Sequence, residues 1–188
     1  MLRGTPCTRL TIGKRKRKER EVARKVFVFD IDGCLALHNF NDGKHGFRVD
    51  SKEGKEAWDE FLINENAYDE FEIPKMMQAY IEILRKEGDA VIYFLSQDDS
   101  SMAYRAKRSF LKKNYGLTDD AYLVMSPREK GDIIELIAKK ENVDLKDCIL
   151  YDDSWRHLTY GASKGIEVHH IAEFLLLTEV VDISAPQK

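Results

Sequence analysis

The amino-acid sequence predicts an α/β fold: a parallel sheet covered by helices on both faces. Two observations carry that prediction. Apolar runs of strand length alternate with segments of helical periodicity along most of the chain, the pattern of strand–helix–strand units joined in one parallel sheet. Three of those runs end in carboxylates or a hydroxyl, and in open sheets of this kind ligands bind beyond the carboxyl ends of the strands. A length of 188 residues suits one domain with a small insert, and a hydrophobic content of 43% allows a sizeable core.

The first run, Val26-Phe-Val-Phe29, reads as a buried strand over 25–30 and ends in Asp30-Ile31-Asp32-Gly33. Alternate residues of a strand share a face, so Asp30 and Asp32 are expected to aim the same way, and Gly33 permits a sharp turn. Residues 38–72 then interrupt the alternation with a polar and aromatic insert that contains a helix near 53–63. Trp58 and Phe61, at i and i+3, are read as packing that helix on the body; His38, His45 and Arg48 are candidates for substrate contact. Pro74 opens a helix over 74–87 and Gly88 closes it.

The second apolar run, over 90–96, ends in the hydroxyl of Ser96 and leads into a helix at 100–114 closed by Gly116. A short strand at 121–125 precedes Lys130, the first residue of a helical pattern that runs to 141. The third run, a strand at 147–151, enters Asp152-Asp153. A helix at 155–163, a strand at 166–171 and a helix at 172–178 complete the pattern.

The polar groups therefore arrive in the order Asp30/Asp32, Ser96, Lys130, Asp152/Asp153. Two carboxylates where a buried strand stops suit a division of labour, one acting as nucleophile and metal ligand while the other moves a proton. This order resembles that of the haloacid dehalogenase (HAD) superfamily, most of whose members are magnesium-dependent phosphatases. The resemblance spans about residues 25–171. The stretch from Lys130 to Asp153, 23 residues further on, is similar to phosphoserine-phosphatase-type members.

The resemblance implies a Rossmann-like parallel sheet with a small insert after the first strand, Mg²⁺ as cofactor, and phosphomonoester hydrolysis through an aspartyl-phosphate. Carried onto this chain, it implies Asp30 as nucleophile and metal ligand. Asp32 becomes the general acid and base and lends its main-chain carbonyl to the metal. Ser96 and Lys130 hold phosphate oxygens, Asp153 is a metal ligand, and Asp152 is an outer partner or an extra ligand. The insert looks like that of the phosphatase domains joined to phage-type polynucleotide kinases, with a Trp-x-x-Phe pattern at Trp58 to Phe61 and an acid pair like Asp152-Asp153.

The chain departs from these patterns in three places. Cys34 follows Gly33 where the superfamily usually has Thr or Val, at a position expected to pack. Gln97-Asp98 follows Ser96 where the polynucleotide group has Gly-Arg; Arg105 and Arg108 are either replacements for that arginine or part of a solvated helix face. His157 stands where phosphoserine-type members carry a further Asp.

Charge divides the chain. Residues 1–25 hold ten Lys or Arg and two Glu, a net of +8, whereas the remainder holds 20 Lys or Arg and 31 Asp or Glu, a net of −11. The reading is a basic arm over 1–24 followed by a phosphatase domain over 25–188. The arm is open to three readings: a disordered extension, a binder of nucleic acid or another polyanion, and a localisation signal. Cys7, Cys34 and Cys148 lack metal-ligand spacing and read as reduced thiols of a cytoplasmic protein. No apolar run approaches the ~18–20 residues of a membrane span. The expected substrate is a nucleotide or nucleic-acid phosphate end, as for a 3′-phosphatase, with a small phosphorylated metabolite as the alternative. A non-catalytic nucleic-acid-binding or scaffold protein on the same fold is a third reading, opposed by the presence of both Asp30 and Asp32.

Overall fold

A computed structural model describes residues 24–37, 52–61, 67–98 and 100–174. The basic arm up to residue 23, His38, His45, Arg48 and most of the helix expected at 172–178 lie outside these residues. Within them the chain runs β1 (Lys25–Phe29), α1 (Lys52–Phe61), a 3₁₀ turn (Ala67–Glu70), α2 (Lys75–Glu87), β2 (Ala90–Ser96), α3 (Ser101–Tyr115), a 3₁₀ turn (Asp120–Tyr122), β3 (Leu123–Met125), α4 (Lys130–Glu141), a 3₁₀ turn (Leu145–Asp147), β4 (Cys148–Asp152), α5 (Trp155–Ser163) and β5 (Glu167–His170). The described strands form one sheet in the order β3-β2-β1-β4-β5, with every neighbouring pair parallel.

Strand alternation sorts the core into two layers. Val26, Val28, Cys148 and Leu150 face a layer closed by Ile133, Ile134 and Ile137 of α4 and Leu158 of α5. Phe27, Phe29, Ile149 and Tyr151 face the other layer, closed by Met77, Ile81 and Leu84 of α2 and by Ala106, Phe110 and Leu111 of α3. Each fully buried Val or Phe of β1 stabilises the fold by about 1.5–3 kcal/mol, so the central strand is anchored from both faces. The chain leaves β1 towards β2 and β3 and later returns to its other side as β4 and β5. The reversal of strand order between β1 and β4 opens a crevice at their carboxyl ends.

Strand limits differ from the sequence reading by one or two residues in β1, β3, β4 and β5, and two of these differences have a clear local cause. β1 stops at Phe29, because Ile31 carbonyl oxygen accepts from the N–H groups of Leu35 and Ala36, each at 2.9 Å, and turns the chain. β3 starts at Leu123 rather than 121, because the Asp119 side chain accepts from Ala121 N–H at 2.8 Å and holds a 3₁₀ turn there. The insert is closed by an antiparallel bridge in which Leu37 and Glu72 exchange two backbone hydrogen bonds of 2.9 Å. Trp58 and Phe61 pack as expected, among the rings of Tyr68 and Phe71.

Candidate active site

Asp30 is the first residue past β1, and its N–H donates to Tyr151 carbonyl at 2.9 Å, which keeps it in line with β4. Lys130, the first residue of α4, reaches under it. The Lys130 ammonium lies 2.6 Å from Asp30 Oδ1 and 2.7 Å from Asp152 Oδ2, and all three residues are buried. Burial works to lower the Lys130 pKa, but the charges of Asp30 and Asp152 outweigh it and raise it. Burial pushes the Asp30 carboxyl up to about 7, Lys130 opposes this, and the neighbouring charges of Asp152 and Asp32 add to it. Asp152 moves the other way. Burial would raise it, yet the bonds from His157, Lys130 and the Ser154 N–H hold it below the ordinary carboxylate range.

Asp153 completes a cluster. One oxygen from each of Asp30, Asp152 and Asp153 lies within 4.8 Å of the others. Asp153 is exposed as a residue, but its carboxylate turns inward onto the loop after β1. A Cβ added to Gly33 would lie 2.3 Å from Asp153 Oδ2, and Gly33 has φ +78°, so both the contact and the turn require glycine. Desolvation, followed by the charge of Asp152, raises the Asp153 pKa. Three carboxylates thus face one lysine.

Asp32 does not join that trio. Because β1 has ended, Asp30 and Asp32 are not held by strand alternation and pair with different lysines. Asp32 Oδ2 lies 2.7 Å from the ammonium of Lys107, and its Oδ1 accepts from the Tyr68 hydroxyl at 2.5 Å. Lys107 also donates to Ser96 Oγ at 2.5 Å and lies 4.0 Å from Asp98. Burial and the Asp32 charge raise the Tyr68 pKa well above its ordinary value, so Tyr68 keeps the proton that it donates. Ser96, at the end of β2, is therefore joined to Asp32, three residues past β1, through a buried lysine.

Sequence reading missed Lys107, Tyr68 and the His157 link. A signal for Lys107 existed: it falls on the stripe Ala103, Ala106, Phe110, Leu111 that α3 buries, where a lysine is costly unless paired. Arg105 is exposed and Arg108 pairs with Asp120 at 2.6 Å, so both belong to the solvated face of α3. His157 lies 3.2 Å from both oxygens of Asp152 and 2.8 Å from Gln97 Oε1, linking the ends of β4 and β2. Cys34 is buried and packs, and burial raises its thiol pKa.

No family model and no curated protein matches this sequence. Solved structures match its fold. A HAD hydrolase of family IA, variant 3, from Entamoeba histolytica aligns with TM-score 0.54 at 16% identity, over 85% of this chain and 89% of that one. A HAD-family enzyme of Bacteroides thetaiotaomicron, solved in complex with magnesium, aligns with TM-score 0.50 at 15% identity, over 79% and 93%. The fold of this chain is the HAD fold, a Rossmann-like parallel sheet flanked by helices. No helix among the described residues is long and apolar enough to cross a membrane.

Proposed function

We propose that the chain is a Mg²⁺-dependent phosphomonoesterase of the HAD type that works through an aspartyl-phosphate. The observation that carries this reading is the meeting of buried Asp30, Lys130 and Asp152 with Asp153 at the crevice between β1 and β4. A HAD-family structural relative was solved with magnesium and inorganic phosphate, which supports the same chemistry here.

Asp30 attacks phosphorus in line, and the bond from phosphorus to the leaving oxygen breaks as the Asp30–phosphorus bond forms. Asp32, an ion-paired carboxylate before substrate binds, takes up a proton as the phosphate arrives, gives it to the leaving oxygen, then takes one from the water that hydrolyses the acyl phosphate. Ser96 and Lys130 hold non-bridging oxygens. Because the Ser96 hydroxyl accepts from Lys107, its own proton is free to be donated to phosphate. Lys107 and Tyr68 hold the two oxygens of Asp32 in place and act as positioning residues.

The donor set fits a hard divalent cation: three carboxylates converge against one lysine, and oxygen ligands of this kind suit Mg²⁺. Asp30, Asp153 and the main-chain carbonyl of Asp32 would hold it, with Asp152, already bonded to Lys130 and His157, as the outer partner. When bound, the ion neutralises charge between Asp30 and the phosphate.

For substrate we favour a nucleotide or a nucleic-acid phosphate end, supported by the +8 charge of residues 1–25. A small phosphorylated metabolite is the alternative, favoured by the net −11 of the rest of the chain. The test is a phosphatase screen with Mg²⁺ across sugar phosphates, mononucleotides, and 3′- and 5′-phosphorylated oligonucleotides. Turnover of none of them, with metal present, defeats the reading.

A further inference from the structure

Trp155 is 71% exposed although it opens α5 only two residues after Asp153. The other two large exposed hydrophobic residues among those described, Ile83 and Leu136, lie mid-helix on α2 and α4, away from the sheet edge. Trp155 instead stands at the rim of the acid cluster.

Its indole is also held in place. One face stacks on the His170 imidazole, with centroids 5.1 Å apart and planes 17° apart. That imidazole is fixed in turn. Its Nδ1 accepts from Ala172 N–H at 3.1 Å, which leaves the proton on Nε2, and Nε2 donates to the carbonyl of Asp153 at 2.9 Å. The residue that brings a carboxylate to the acid cluster therefore also fixes the ring pair. Next to it, Arg156 is bonded to Glu129, the residue before Lys130. A rigid aromatic surface binds with little ordering cost.

We propose that the open face of Trp155 stacks the nucleobase of a nucleotide substrate whose phosphate sits at Asp30 and Lys130. This rests on the phosphatase reading and names the group that recognises the part of the substrate which is not phosphate. A base is favoured over a sugar ring because the platform offers a flat π face. Both ring nitrogens of His170 are engaged within the protein, and one nitrogen of the exposed Arg156 guanidinium is engaged by Glu129, so the indole face is the aromatic contact this rim offers among the described residues. Stacking of this kind tolerates every base, since each has a π face.

The test compares the wild type, Trp155→Ala and Trp155→Phe on adenosine 3′- and 5′-monophosphates and on glycerol phosphate, all with Mg²⁺. Trp155→Ala should raise KM for the adenosine phosphates about tenfold, in line with the loss of one stacked base. kcat should stay within about twofold, Trp155→Phe should retain most of the affinity, and KM for glycerol phosphate should not move. Equal changes for both substrate kinds, or no change for either, overturn the platform while leaving the phosphatase reading intact. A second measurement does not need turnover. The chain has two tryptophans, so in Trp58→Phe the emission reports Trp155 alone. Adenosine monophosphate should quench it saturably, and glycerol phosphate should not. If no ester is hydrolysed, the phosphatase reading fails, and the quenching result alone then decides whether the platform stands.

Discussion

Lys130 and Lys107 are both buried and both touch a carboxylate at 2.6–2.7 Å, yet they leave their surroundings in opposite electrical states. Lys130 stands between Asp30 and Asp152 with Asp153 beside them, so negative charge remains in excess. Lys107 stands between one carboxylate, Asp32, and a neutral hydroxyl, Ser96, with Asp98 at the limit of contact, so the nearest charges balance. The first region has the charge and donor set that the proposed cation needs. The second needs none and is fixed by hydrogen-bond geometry. On the proposed mechanism, nucleophile and metal chemistry fall on the β1–β4 side, and proton transfer on the β1–β2 side.

The largest effect expected is on the nucleophile. Asp30→Asn should lower turnover by at least ~10³-fold, the scale seen when a covalent nucleophile is removed, with folding retained because a costly buried charge is lost. Near-normal Mg²⁺-dependent turnover of that variant would end the mechanism.

The lysines come next. Lys130→Met leaves two buried carboxylates facing each other and should cost about 3–5 kcal/mol of stability, seen as a lowered urea midpoint, along with most activity. Lys107→Met and Tyr68→Phe should act on proton transfer. They should reduce kcat/KM for alkyl phosphates about tenfold more than for nitrophenyl phosphate, whose phenolate leaves without needing a proton. Loss of the same factor for both esters would erase the division between the two regions.

Metal dependence sharpens the first region further. Asp153→Asn should raise the Mg²⁺ requirement more than Asp152→Asn, and the reverse order would exchange their roles. The pH dependence follows from Asp30, whose carboxyl is pushed by burial from an ordinary 3.8 up to about 7. As pH rises between those values the unfolded chain gives up this proton first, so the group's contribution to stability declines across the window. Asp152, with its lowered pKa, contributes stability that is present above 3.8 and is lost only at more acid pH. Mg²⁺ needs ionised Asp30, so the rise in Tm produced by Mg²⁺ should be larger at pH 8 than at pH 5. Equal rises would separate Asp30 from the metal.

The smallest effect concerns the basic arm. Deleting residues 1–22 should leave turnover of a small chromogenic ester within about twofold. If the substrate is nucleic acid, the deletion should weaken oligonucleotide binding and flatten its salt dependence. An unchanged salt slope would hand the lead to a small metabolite.

The β1–β4 region was legible in the sequence because apolar strands and polar strand ends are adjacent in the chain: Val26–Phe29 announces Asp30, and the run before Asp152 announces the acid pair. Lys130 was legible as the start of a periodic helix. The β1–β2 region was not. Lys107 reaches Ser96 only because α3 folds back over β2, a contact between residues 11 apart that no local pattern displays. Tyr68 arrives from an insert whose sequence carries no periodicity pointing at Asp32, 36 residues before it. The expectation that Asp30 and Asp32 share a strand face failed because a turn anchored on Ile31 ended the strand first.

The bridge between Leu37 and Glu72 pairs the two ends of the insert. Tyr68 and Phe71, just before the returning end, are buried in the same core layer as Phe29 and Phe110, so the returning end is fixed to the body by packing as well as by backbone bonds. The entropy of closing such a loop grows only with the logarithm of its length, about 0.6 kcal/mol for each doubling. Length changes between the two ends therefore cost little where the added residues carry no buried side chain, provided that Tyr68 still presents its hydroxyl to Asp32.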